Sequence, residues 1–149
     1  MNQRNRVLAR SDEPQYGETL EEMTMFKTQF DRFVCGGDSI SCEVDGVTFT
    51  ARLEHDTDSH VDDAECYTKR QIAAWKADEW RFFGMVISAE IDGVCLGEHL
   101  ASLWGIEGNF PSRRKNPNTY FMTVANELLA EAVQGARQER GRILQALAA

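Results

Sequence analysis

Apolar residues at Leu20, Met23, Phe26, Phe30, Phe33 and Val34 recur at steps of three and four, which predicts an amphipathic helix from Thr19 to Val34. Thr19-Leu20-Glu21-Glu22 fits a capping box at its start, and Gly36-Gly37 stops it. The period then changes to two. Ile40, Cys42 and Val44 alternate with polar residues, Asp45-Gly46 supplies a tight turn, and Val47, Phe49, Ala51 and Leu53 resume the alternation. That is the signature of a β-hairpin.

After a polar connector, 54–66, a short helix is expected from Thr68 to Lys76 or beyond, burying Ile72 and Trp75. A second hairpin begins near Trp80, runs to Ile91 and turns at Asp92-Gly93. Gly97 and His99 interrupt its returning strand, of which Ser102–Glu107 is the strongest part. A loop over 108–116 leads to a long helix from about Asn118, capped by Asn118 or Thr119. Phe121, Val124, Ala125, Leu128, Leu129, Ala132 and Val133 form its buried face. Gly135 is placed to end or bend it, and Ile143, Leu144 and Leu147 continue the period.

The order α-ββ-α-ββ-α predicts an α+β fold, a four-stranded antiparallel sheet with helices packed on one face. The other face is then exposed or used for self-association, as in a homodimer. Residues 1–17, with Pro14, Gly17 and little apolar content, are expected to be a mobile arm, and 18–149 a single domain. The 149 residues, 42% hydrophobic, are enough for one packed core. The longest uncharged apolar run, Phe82–Ala89, is far shorter than the roughly 20 residues of a helical membrane span. No secretory pattern follows Met1–Arg6, and none of Cys35, Cys42, Cys66 and Cys95 forms a C-x-x-C pair. Reduced thiols in a cytoplasmic protein are the expectation.

Charge changes the picture more than composition does. The formal net charge is −8, but residues 11–66 hold 15 carboxylates against Lys27, Arg32 and Arg52, whereas 67–149 hold nine against ten cations. A polyanionic region repels nucleic acid, so direct DNA or RNA binding is disfavoured. A basic protein surface, including one built to hold nucleic acid, is the better partner. The candidate binding set is Glu43, Asp45, Glu54, Asp56, Asp58, Asp62, Asp63 and Glu65. If the second strand stays extended past Leu53, then Glu54, Asp56 and Asp58 stand on one side about 6.6 Å apart, on the scale of consecutive phosphates. Glu43 and Asp45 would extend that patch.

Other chemistry finds less support. Asp56-x-Asp58 resembles the start of a calcium loop, but His60, Val61 and Tyr67 stand where the loop needs a ligand, a glycine and a glutamate. His55, His60 and Cys66 offer zinc donors without a closed four-ligand spacing. No G-x-S-x-G elbow or phosphate loop is present, and a Cys35–His99–acid set can be assembled only by assuming the fold. No catalytic residue, cofactor or metal is therefore assigned. A small metal- or Cys-dependent enzyme and an oligomeric regulatory protein are the alternatives. Arg113-Arg114-Lys115 is the one compact basic cluster, suited to phosphate, to an acidic protein or to solvent.

The stretch Asp78-Glu79-Trp80-Arg81-Phe82-Phe83-Gly84-Met85-Val86, then Ser102-Leu103-Trp104-Gly105-Ile106-Glu107, Tyr120 and Val124-Ala125-Asn126-Glu127-Leu128, carries a resemblance. It resembles a loosely defined group of small acidic proteins encoded by phages, plasmids and integrated elements of proteobacteria. Ala51-Arg52-Leu53-Glu54-His55-Asp56-Thr57-Asp58 is similar to that group's A-x-[IL]-E-x-D-x-D stretch. The resemblance implies a mobile-element accessory protein and carries no catalytic residue. By analogy with small acidic proteins of such elements, it implies an inhibitor of host defence of the anti-CRISPR or antirestriction type, acting on a nucleic-acid-handling protein or complex.

Overall fold

In a computed structural model, residues 25–149 are described. Four strands, β1 (Ser39–Val44), β2 (Val47–His55), β3 (Arg81–Ile91) and β4 (Val94–Gly108), form one antiparallel sheet in the order β1-β2-β3-β4. Each consecutive pair is hydrogen-bonded, so the sheet is a meander. Both hairpin turns put their Asp and Gly at positive φ, 53° and 80° at Asp45-Gly46 and 48° and 79° at Asp92-Gly93. This is the type I′ geometry that fits the twist of the flanking strands.

Between the hairpins lie a short 3-10 turn (Val61–Asp63) and helix α1 (Lys69–Lys76). Thr68 and Gln71 cap α1 reciprocally, each side chain accepting the other's backbone N–H. Helix α2 (Tyr120–Ala148) ends the chain as one uninterrupted element. Of the alternatives at Gly135, an end or bend and a continuation of the period, the continuation is what forms: one glycine costs an otherwise good helix only about 1 kcal/mol, which packing against the sheet offsets. A Cβ added there would stand 3.1 Å from Leu100, so the small residue also lets α2 lie close to β4.

The main core joins one sheet face (Ile40, Phe49, Leu53, Phe83, Met85, Ile87) to Phe121, Val124, Ala125, Leu129, Ala132 and Ala136 of α2. Leu128 and Val133 pack at its margin. Phe82, whose side chain alternates with Phe83, builds a second cluster with Trp80 and Val61, and α1 adds half-buried Ile72 and Trp75 to it. The two clusters approach each other at Glu107. Its carboxylate accepts the Tyr67 hydroxyl and its carbonyl accepts the Tyr120 hydroxyl. Burial and the neighbouring Glu107 push both phenols above their ordinary pKa.

The predicted first helix needs correction. Residues 19–24, with the capping box, lie outside the described residues, as does the arm 1–17. Residues 25–34 are not helical. They run as an irregular strap that buries Phe26, Phe30 and Val34 and leaves Phe33 65% exposed. The backbone partners that a helix would supply internally come instead from asparagine side chains. Asn126 bonds both backbone groups of Phe26, at 2.7 and 3.1 Å, and Asn109 both of Val34, at 2.8 and 2.9 Å. Asn116 donates to the Phe30 carbonyl, and Asn118 to the carbonyls of Asp31 and Arg32. Asn118, expected as a helix cap, is fully buried and makes no cap; its Oδ1 accepts the Asn109 amide.

Candidate functional site

Two charges of the acidic set are neutralised within the fold. Alternation along β2 buries Leu53 and turns Arg52 and Glu54 to the opposite face, where Arg52 Nε meets Glu54 Oε2 at 2.8 Å. At the other end of the strand Asp45 pairs with Arg137 of α2, also at 2.8 Å. Glu43, exposed on β1, is opposite Thr48. Six residues separate Thr48 from Glu54 along β2, about 20 Å at the rise of a strand. Glu43 and Asp45 therefore stand at one end of the hairpin and the remaining six acids at the other, so the eight do not form one patch.

The expected row of Glu54, Asp56 and Asp58 is also absent, because β2 ends at His55 and the chain turns. Asp56 makes the turn. Its Oδ1 accepts the amides of Asp58 and Ser59 at 2.9 and 3.1 Å, and its Oδ2 accepts the Ser59 hydroxyl and the Gly105 amide, both at 2.8 Å. Partial burial pushes this carboxyl's pKa up, but the four hydrogen bonds outweigh it and hold the group below the usual aspartate value. Asp56 thus ties the acidic turn to β4, and its acceptor sites are used within the fold.

The histidines are engaged separately. The His55 ring stacks on Phe83, with centroids 5.3 Å apart, and abuts Gly36. His60 Nδ1 accepts the Asp62 amide at 3.1 Å, while Asp63 accepts the His60 amide at 2.8 Å, a capping box for the 3-10 turn. An accepting Nδ1 places the proton of neutral His60 on Nε2. Its ring meets Trp75 edge-on at 4.4 Å, and buried Val61 anchors the turn from below. Among the described residues, no three His, Cys, Asp or Glu side chains converge as a metal site would require. All four cysteines are free thiols; burial raises the Cys42 thiol to about 11, whereas Cys35, Cys66 and Cys95 are exposed.

Asp58, Asp62, Asp63 and Glu65 remain, all exposed. Among the described residues none of them is paired with a lysine or arginine. Beside Asp58 is Trp104, 45% exposed. It lies across Gly84 of β3, where a Cβ would fall 2.0 Å from the ring. Together with residues 55–59 Trp104 walls a concavity of about 450 Å³. A second hollow of about 330 Å³, reached from the same turn, extends to Trp75 and Arg81. The signal for an exposed Trp104 was the pair of glycines: Gly105 at φ 77° interrupts the strand pattern, and Gly84 leaves room for a ring.

Comparison of the chain with protein-family models, curated proteins and solved structures finds no match. Among the described residues no helix is long and apolar enough to cross a membrane.

Proposed function

We propose that this chain is a non-enzymatic protein-binding inhibitor that docks its acidic turn on a basic surface of a nucleic-acid-handling protein. The observation that carries the reading is the group Asp58, Asp62, Asp63 and Glu65, exposed and without a lysine or arginine partner among the described residues, with Asp58 beside the exposed face of Trp104. Carboxylates that hold no internal counterion keep their potential for an incoming surface and steer its approach. An indole face beside them suits arginine, which stacks on aromatic rings while pairing with carboxylates. Tryptophan is also among the side chains that concentrate binding energy at interfaces. The docking set is narrower than the eight acids predicted above, because Asp45, Glu54 and Asp56 are satisfied within the fold and Glu43 stands at the far end of the hairpin.

Phages and plasmids encode proteins that act this way on host defence, and the motif resemblance favours the anti-CRISPR or antirestriction type, working in the cytoplasm of a bacterial host. Pairing of two copies along the β4 edge, where Val94 and Leu103 are exposed, would double the acidic turns without altering this reading. The test is phage plating on defended host strains that express either the wild type or a variant with Asp58, Asp62 and Glu65 changed to Lys, Asp63 being kept because its carboxylate caps the 3-10 turn. Wild-type chain should restore plating, and the variant should not while keeping the same thermal melting profile. Equal restoration by the reversed variant would reject the acidic turn as the docking element.

A further inference from the structure

A cleft of about 900 Å³ lies between α1 and the loop after β4. Arg70 of α1 and Arg113 of the loop both line it, with Gln71, Ala74, Ala77 and Glu79 among their neighbours. Its volume is within the roughly 300–1,000 Å³ of small-molecule sites. Arg52, Arg81, Arg137 and Arg142 each have a carboxylate partner, whereas Arg70, Arg113 and the Glu79 carboxylate have none among the described residues. Arg32, Arg114 and Arg140 are likewise without a carboxylate partner among the described residues, but Arg70 and Arg113 line one cleft together. Lys69, Arg114 and Lys115 are exposed beside them in sequence, so an approaching anion meets a locally positive field.

The lining narrows the chemistry. A single arginine fork satisfies both oxygens of a carboxylate, whereas a phosphate has oxygens for two forks. Gln71 Oε1 is used in capping Thr68, which leaves its amide N–H groups free to donate. Glu79 would repel a second anion but accepts hydroxyl protons. Ala74 and Ala77 leave room for a compact body, and no aromatic side chain lines the cleft to stack on a base. We infer that this cleft binds a phosphorylated polyhydroxy compound of the sugar phosphate class, its phosphate held by Arg70 and Arg113 and its hydroxyls by Glu79. The inference is independent of the acidic turn.

The test is an NMR titration of the isotopically labelled full chain with ribose 5-phosphate, inorganic phosphate and ribose at equal ionic strength. Ribose 5-phosphate should shift the amides of Arg70, Ala74, Ala77 and Arg113, binding at least about tenfold more tightly than phosphate, with ribose inert. R70A/R113A should lose at least about tenfold in affinity while signals away from the cleft stay in place. E79A should bring ribose 5-phosphate down to the affinity of phosphate. No shifts at the cleft, shifts that survive in R70A/R113A, or equal binding of phosphate and ribose 5-phosphate would each overturn the assignment.

Discussion

The side-chain amide of Asn126 bonds both the N–H and the carbonyl of Phe26, 100 residues earlier, at 2.7 and 3.1 Å. One edge of a primary amide presents an N–H donor and an oxygen acceptor in nearly the geometry of a neighbouring strand, so one asparagine stands in for a short piece of β-ladder. Asn109 does the same for Val34, and Asn118 secures the carbonyls between them. Phe26, Phe30 and Val34 enter the core without a helix or strand to carry them.

Asn118→Ala should be the most damaging of the asparagine substitutions. Asn118 itself is fully buried, and its loss leaves the carbonyls of Asp31 and Arg32 and the amide of Asn109 without these partners. A loss of about 2–4 kcal/mol is expected, read as a lower urea midpoint. Asn116→Ala, which loses one longer bond of 3.3 Å to the Phe30 carbonyl, should cost about 1 kcal/mol or less.

Asp56 links stability to pH. Its carboxyl titrates below the ordinary value in the fold, so its contribution is present above the unfolded pKa of about 3.9 and is lost as pH falls through the lower folded value. Asp56→Asn keeps one acceptor oxygen but places an N–H₂ group where Ser59 and Gly105 donate. The variant should be less stable than wild type at pH 7, and the difference should shrink as pH falls below about 4, as thermal melting at successively lower pH would show.

Gly84→Ala tests the seat of Trp104. The added methyl would overlap the indole, and because Trp104 is 45% exposed the ring should swing outward while the sheet holds. A red-shifted tryptophan emission with a stability loss of about 1 kcal/mol is expected. Under the proposed function, the same substitution weakens partner binding even though it removes no charge.

The Asp45–Arg137 pair should contribute little despite its 2.8 Å separation. Both side chains are 68% exposed, and two long, solvated groups gain little from pairing in water. Arg137→Ala is expected to change the urea midpoint by no more than about 0.5 kcal/mol of stability.

The α+β class and the two hairpins were legible in the sequence because their determinants are local, whereas the β2–β3 pairing that joins them into a meander links residues about 30 to 40 positions apart and was not. Asp-Gly turns, strict alternation in 40–53 and the Thr68–Gln71 cap are each complete within a few residues. The strap was not legible, since Phe26, Phe30 and Val34 at four-residue steps mimic a helix face while their hydrogen-bond partners lie in 109–126. For the same reason the acidic row misled: an extended continuation past Leu53 assumes that Asp56 is free, and its deciding contact is the Gly105 amide 49 residues away. Which carboxylates remain available depends on arginines and amides that only the folded chain brings near.

The asparagine clamps also set an order of events on the ribosome. At roughly 5–20 residues per second, the 100 residues between Phe26 and Asn126 take about 5–20 s to synthesise. The first hairpin is complete early in that interval and the second near its end, yet Phe26 and Phe30 have no seat until α2 emerges. A nascent polypeptide of this design exposes apolar surface throughout that interval, making it a client for chaperones and leaving truncated translation products prone to aggregate.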